Sequence, residues 1–246
     1  MKYLLFFILL LPSATYAQVA TIKEIKFKAD SAYYNVDDTT IIYPVIVLKN
    51  STIAKLINAE IRDELGFESN VNLKAAIKER LDEGLTDISY KVTFNKNGLL
   101  SLTVYTEESQ GHIVTNYDYF NFDLRSGNKI TINDIIDSSK INSFTSKVFR
   151  SKVAFLEEYK KIGLNKDLQK KIIDSADYNS IIGQVGANCV NSIQLTDFSL
   201  EKNNLQIIDP CYINMAMRAV APEYELKYTY QSIYSFLNPA FRQRLK

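Results

Sequence analysis

The chain has 246 residues, 46% hydrophobic and 23% charged, a globular composition rather than a disordered or fibrous one. Basic residues number 29 and acidic 28, so a formal net charge of +1 gives nucleic acid no electrostatic foothold. One histidine and two cysteines exclude a Cys/His zinc site without carboxylates and the two-histidine HExxH machinery, and no metal or cofactor is expected.

Residues 1–17, MKYLLFFILLLPSATYA, read as a signal peptide. Lys2 is the positive n-region, Leu4 to Leu11 form the apolar core, and Pro12 precedes small residues at cleavage-site spacing. The apolar run is about half of the ~20 residues that span a bilayer, so a membrane anchor is the weaker alternative. Cleavage after Ala17 removes Lys2 and no acid, which leaves basic and acidic residues in equal number. Residues 18–246 are then expected to form one exported domain, periplasmic or extracellular, with sub-lobes 18–136 and 137–246.

That domain opens with strand patterns at 25–29 and 41–48, the second carrying Pro44, which suits an edge or a bulge. Asn50 or Ser51 can cap a helix whose Ile53, Leu56, Ile57, Ile61 and Leu65 share a face before Gly66, and a second helix is predicted over 72–84. Ile88, Tyr90, Val92 and Phe94 alternate up to an Asn97-Gly98 turn, and Leu100, Leu102 and Val104 alternate back. A second hairpin is expected from Phe120, Phe122 and Leu124 through 125–128 to Ile130 and Ile132. Helical spacing follows over 140–160, then a shorter helix over 166–176. A third hairpin, 192–200 with 205–208, turns at Asn203-Asn204, before a strand at 224–230 and a terminal helix at 232–237. Runs of strands and runs of helices predict an α+β fold, an antiparallel sheet of hairpins covered by amphipathic helices.

Candidate functional residues are few. His112 follows Gly111 in a polar corner near Glu107, Glu108 and Asp118, and a Ser-His-Asp arrangement is open but has no GxSxG support. Adjacent carboxylates at 37–38, 107–108 and 157–158 point to different faces and do not make a glycosidase pair. Tyrosines number 16, two of them in the leader. Tyr117 and Tyr119 alternate with Phe120 and Phe122, which permits an exposed tyrosine face over a buried phenylalanine face; packing under a helix is the alternative. Cys189 and Cys211, 22 positions apart in an exported chain, are expected to form a disulfide at the base of the third hairpin; a reactive thiol is the alternative, without a CxxC partner or a histidine nearby in sequence.

Residues 99–136, LLSLTVYTEESQGHIVTNYDYFNFDLRSGNKITINDII, resemble the extracytoplasmic domain of RsiV-type anti-sigma factors. The same domain is similar to the non-catalytic N-terminal region of PdaC-type polysaccharide deacetylases. Ile42-Tyr43-Pro44-Val45 with the Ile57-Asn58 helix resembles the family's opening, and Phe198-Ser199-Leu200 with Tyr224 to Tyr228 its close. The corner reads Gln110-Gly111-His112 where the family has Gly-Gly-Ala-His. The resemblance implies a non-enzymatic domain that binds an envelope protein such as lysozyme, or peptidoglycan or another cell-wall glycan. A hydrolase acting on envelope polysaccharide through His112 and nearby carboxylates is the alternative.

Overall fold

The computed structural model describes residues 18–28, 40–68, 71–109, 113–163, 170, 174–190, 193–211, 222 and 225–245. The expected leader lies outside them, as does most of the helix expected over 166–176.

Strands β1 (Thr21–Lys28) and β2 (Thr40–Val47) form an antiparallel pair in which Pro44 faces Glu24. A two-stranded sheet has only edges, so the missing N–H of Pro44 is tolerated. Helix α1 (Ser51–Glu64) starts at Asn50, whose side chain accepts from the N–H groups of Thr52 and Ile53. It ends at Gly66, whose φ of +70° suits glycine. Its stripe of Ala54, Ile57 and Ile61 is buried. Helix α2 (Leu73–Asp82), capped by Asn72, adds Ala76 and Ile77.

The centre of the molecule is an antiparallel meander of β3 (Leu85–Lys96), β4 (Leu99–Ser109) and β5 (Ile113–Asp123). Asn97 and Gly98 both take positive φ, as a tight two-residue hairpin turn requires. The second expected hairpin is cut short: β5 pairs along its length with β4, and beyond the turn at Gly127 the return is limited to a bridge between Phe122 and Lys129, with the Asp123 N–H on the Asn128 carbonyl and the Ile130 N–H on the Asn121 carbonyl. The physical reason is a helix start, since Thr131 and Asp134 form a capping box that puts Ile132 at the head of α3 (Ile132–Ile135).

Helix α4 (Ile141–Glu158) runs into a π turn, and α5 (Ser175–Gln184), capped by Asp174, ends in a second π turn, Val185–Cys189. The third sheet orders β6 (Asp197–Leu200), β7 (Asn204–Ile208) and β8 (Leu226–Thr229) antiparallel. The terminal helix expected at 232–237 instead lies at α6 (Pro239–Arg244), with 230–236 in turns. Asn238 caps it, and Pro239 occupies the first turn, where its lost donor costs nothing.

The α+β class therefore holds, with three small antiparallel sheets and six helices among the described residues rather than one continuous sheet. One core lies between α1, α2, β2 and one face of the meander. A second joins Phe94 and Leu99 to α4, β6–β8 and α6. A third, smaller core gathers Leu156, Ile181 and Val185 around Cys189 and Cys211. These two cysteines form a disulfide with Cα atoms 5.0 Å apart.

Candidate binding site

The two faces of the meander have different fates. Leu100, Leu102, Val104, Phe120 and Phe122 are buried in the first core. Cross-strand partners share a face, and the opposite face pairs Ser101 with Asn121, Thr103 with Tyr119, and Tyr105 with Tyr117. One end of this face is covered. Asn121 Nδ2 donates to the Phe198 carbonyl at 2.7 Å, the Leu200 N–H donates to Ser101 Oγ, and Ser199 Oγ donates to Thr93 Oγ1, which seats β6 there.

The other end is open. Tyr117 is 58% exposed, and its ring lies 5.3 Å from that of Tyr105. The Tyr105 hydroxyl donates to Glu107 Oε2 at 2.7 Å, and Thr86 donates to Oε1 of the same carboxylate. Burial, then the hydrogen bond and charge of Glu107, push the Tyr105 hydroxyl up to about 12, so it stays a donor at neutral pH. Burial and then Glu107 also raise Asp87. The adjacent Glu108 pairs with Arg80, so the two carboxylates are held by different partners.

Beside this face, along the outer edge of β5, lies a cleft of about 370 Å³. Tyr117, Asp118, Tyr119 and Asn121 of β5 line it, together with Asp197 at the start of β6, Glu64 of α1 and Lys129. Lys129 pairs with Glu64 and stands 3.7 Å from Glu60. Burial raises Asp118, with Glu64 and Asp197 adding to the effect and Lys129 opposing it. Asp197 is raised by burial, with Lys129 opposing and Glu64 adding.

A larger hollow of about 880 Å³ opens by Gly98 and α6, but its charges serve the fold. Arg244 donates to both oxygens of Asp123 at 2.7 and 3.0 Å and to the Gly98 carbonyl, and Arg125 chelates the same carboxylate.

Of the sequence candidates, Tyr117 and Tyr119 come together on the open wall. Gly111 and His112 fall in the connection 110–112 between β4 and β5 and lie outside the described residues. Tyr105, Lys129, Asn121 and Asp197 were not singled out in the sequence. Tyr105 continues the alternation of β4 and was within reach of it; Lys129 and Asp197 arrive from other elements. Among the described residues no group of three His, Cys, Asp or Glu side chains is placed to hold a metal ion. Among the same residues no helix is long and apolar enough to cross a membrane.

No known family profile matches the sequence, and no curated protein matches it. Among solved structures the chain is similar to a member of the DUF3298 family from Bacteroides fragilis, with a TM-score of 0.57 and 13% identity over 93% of this chain and 97% of that one. It is similar to a DUF3298 family protein from Pseudomonas aeruginosa with the same score and identity, over 92% and 96% of the two chains. At this identity the likeness carries the fold alone.

Proposed function

We propose that the chain is a non-enzymatic binding domain of the cell envelope, working in the periplasm or outside the cell. Its partner is an envelope protein of the lysozyme kind or a cell-wall glycan, held on the open face of the β3–β4–β5 meander. The observation that carries this reading is the tyrosine wall of Tyr105 on β4 and Tyr117 and Tyr119 on β5, left half open to solvent on strands whose other face carries Leu102, Val104, Phe120 and Phe122 into the core. Tyrosine gives apolar area and a hydroxyl at small entropic cost, which suits recognition better than solubility. The disulfide supports an oxidising compartment.

The test is capture from an envelope extract, with lysozyme and purified peptidoglycan offered separately. Wild-type protein is expected to retain one of them, and Tyr117→Ser with Tyr119→Ser to lose at least tenfold in affinity while melting normally. Turnover of envelope polysaccharide by pure protein, abolished in His112→Ala, would establish the hydrolase instead. General acid–base help of that kind is worth about 10²–10⁴-fold in rate, so the distinction is readable.

A further inference from the structure

We infer that the cleft along the outer edge of β5 binds a primary ammonium or guanidinium group, seated between Asp118 and Asp197 against Tyr117 and Tyr119. The inference rests on the binding-domain reading of the same wall and names the chemistry of what is bound there.

The charge pattern comes first. Glu64 and Lys129, both lining the cleft, neutralise one another. Asp118 and Asp197 form no salt bridge with any described residue, although both line a partly buried space. Both carboxyls are driven toward protonation, half-buried Asp118 by burial, Glu64 and Asp197, and Asp197, exposed at the start of β6, by partial burial and Glu64 against the opposing Lys129. An entering cation relieves both effects at once, whereas a neutral polyol relieves neither.

The second observation is independent of charge. Asn121 is 4% exposed; its Nδ2 is committed to the Phe198 carbonyl, and its Oδ1 has no hydrogen-bond partner among the described residues. A buried carbonyl oxygen left without a donor costs about 1–3 kcal/mol, and such an atom at a cleft calls for a ligand that donates. Ammonium and guanidinium groups donate only, so they complement a wall of acceptors. The tyrosine rings add faces on which such a cation stacks.

Competition within the protein sharpens the test. Among the described residues Lys129 is the one cation lining the cleft, where it pairs with Glu64. Replacing it removes an internal rival, so Lys129→Met is expected to tighten binding where Asp118→Asn/Asp197→Asn weakens it.

The experiment titrates the protein with methylguanidinium, N-acetyl-lysine methylamide, glucosamine and N-acetylglucosamine, following the backbone amide resonances of residues 117–119 and 197. Saturable shifts with the three cations and none with N-acetylglucosamine are expected. The double Asp→Asn variant should bind at least tenfold more weakly, and Lys129→Met at least threefold more tightly. Preference for the lysine or guanidinium probe assigns the cation to a protein partner, and preference for glucosamine to an amino sugar. The inference is overturned by equal response to N-acetylglucosamine, by no response to any cation, or by variants that leave the cation affinities unchanged. Should the double variant not fold, the direction of the Lys129→Met effect decides alone. Capture of an envelope partner that survives Asp118→Asn/Asp197→Asn would sink this inference and leave the binding-domain reading standing.

Discussion

Asp123 is clamped from two directions, by Arg125 across its own turn and by Arg244 from α6. Burial alone would raise its carboxyl, but the hydrogen bonds from the two guanidiniums outweigh burial and hold it well below the usual carboxylate range. A carboxyl depressed in the folded state stabilises fully above its unfolded value, near pH 4, and that contribution drains away as pH falls toward the folded value. Asp123→Asn should therefore cost about 2 kcal/mol at pH 7, and its urea midpoint should converge with that of wild type as pH drops from about 5 to 2. A variant whose deficit persists unchanged at pH 2 would refute the clamp. Asn58 works through neutral bonds instead. Its Nδ2 donates to the carbonyls of Ile46 and Ala54, and its Oδ1 accepts from the Ile46 N–H, all at 2.8 Å. This one side chain fastens α1 to β2. Asn58→Ala strands both backbone groups of a buried residue, an expected loss of about 1–3 kcal/mol in chemical denaturation. The asparagine belongs to the Ile-Asn pair by which the sequence resembles a known family, and its role there is structural.

Elements were legible wherever local chemistry and tertiary packing agree. Asn50, Gly66 and Asn97-Gly98 mark α1 and the β3–β4 turn by caps and positive φ, and these boundaries can be read residue by residue. After β5, Ile130 and Ile132 alternate like a strand, but the capping box of Thr131 and Asp134 decides for a helix. Pairing was the harder problem. Tyr105 meets Tyr117 only once β5 returns along β4, and Asp197 reaches the cleft from another sheet, so no local pattern could assemble the site. One glycine shows how tightly the meander closes. Gly84 has a φ of +114°, its carbonyl accepts from the Ser109 N–H at 2.7 Å, and an added Cβ would lie 2.6 Å from the Ser109 carbonyl oxygen. Gly84→Ala should destabilise by about 1–3 kcal/mol through backbone displacement at the start of β3. Gly186→Ala, with nothing within 4 Å of its added Cβ, should stay within about 0.5 kcal/mol. Equal melting temperatures for the two variants would remove the close approach from the account.

At the scale of the molecule, the helical pair α4–α5 is attached to the third sheet through a small core, and the disulfide lies inside it. Leu156, Ile181 and Val185 surround the bridge, whose cysteines are themselves buried at 1% and 7% exposure. Cys189 closes the π turn after α5, and Cys211 follows β7 by three residues, so the link joins a helix end to a strand end rather than two strands. Beside it the Lys152 ammonium, 3% exposed, meets Asp209 at 2.5 Å, a second tie between α4 and the end of β7. Cross-linking residues 22 apart restricts the unfolded chain by about 3 kcal/mol in the chain-entropy account. Cys189→Ala with Cys211→Ala should lose about that much, and hydrogen exchange should place the earliest opening in α5, whose core is the smallest. Reducing agent should bring wild type down to the stability of the double variant and leave the double variant unchanged. Mass spectrometry of the non-reduced protein should show one bridge and no thiol open to alkylation. Two alkylatable thiols in that sample, or a double variant as stable as wild type, would remove the staple from the fold and with it the support it lends to an oxidising compartment.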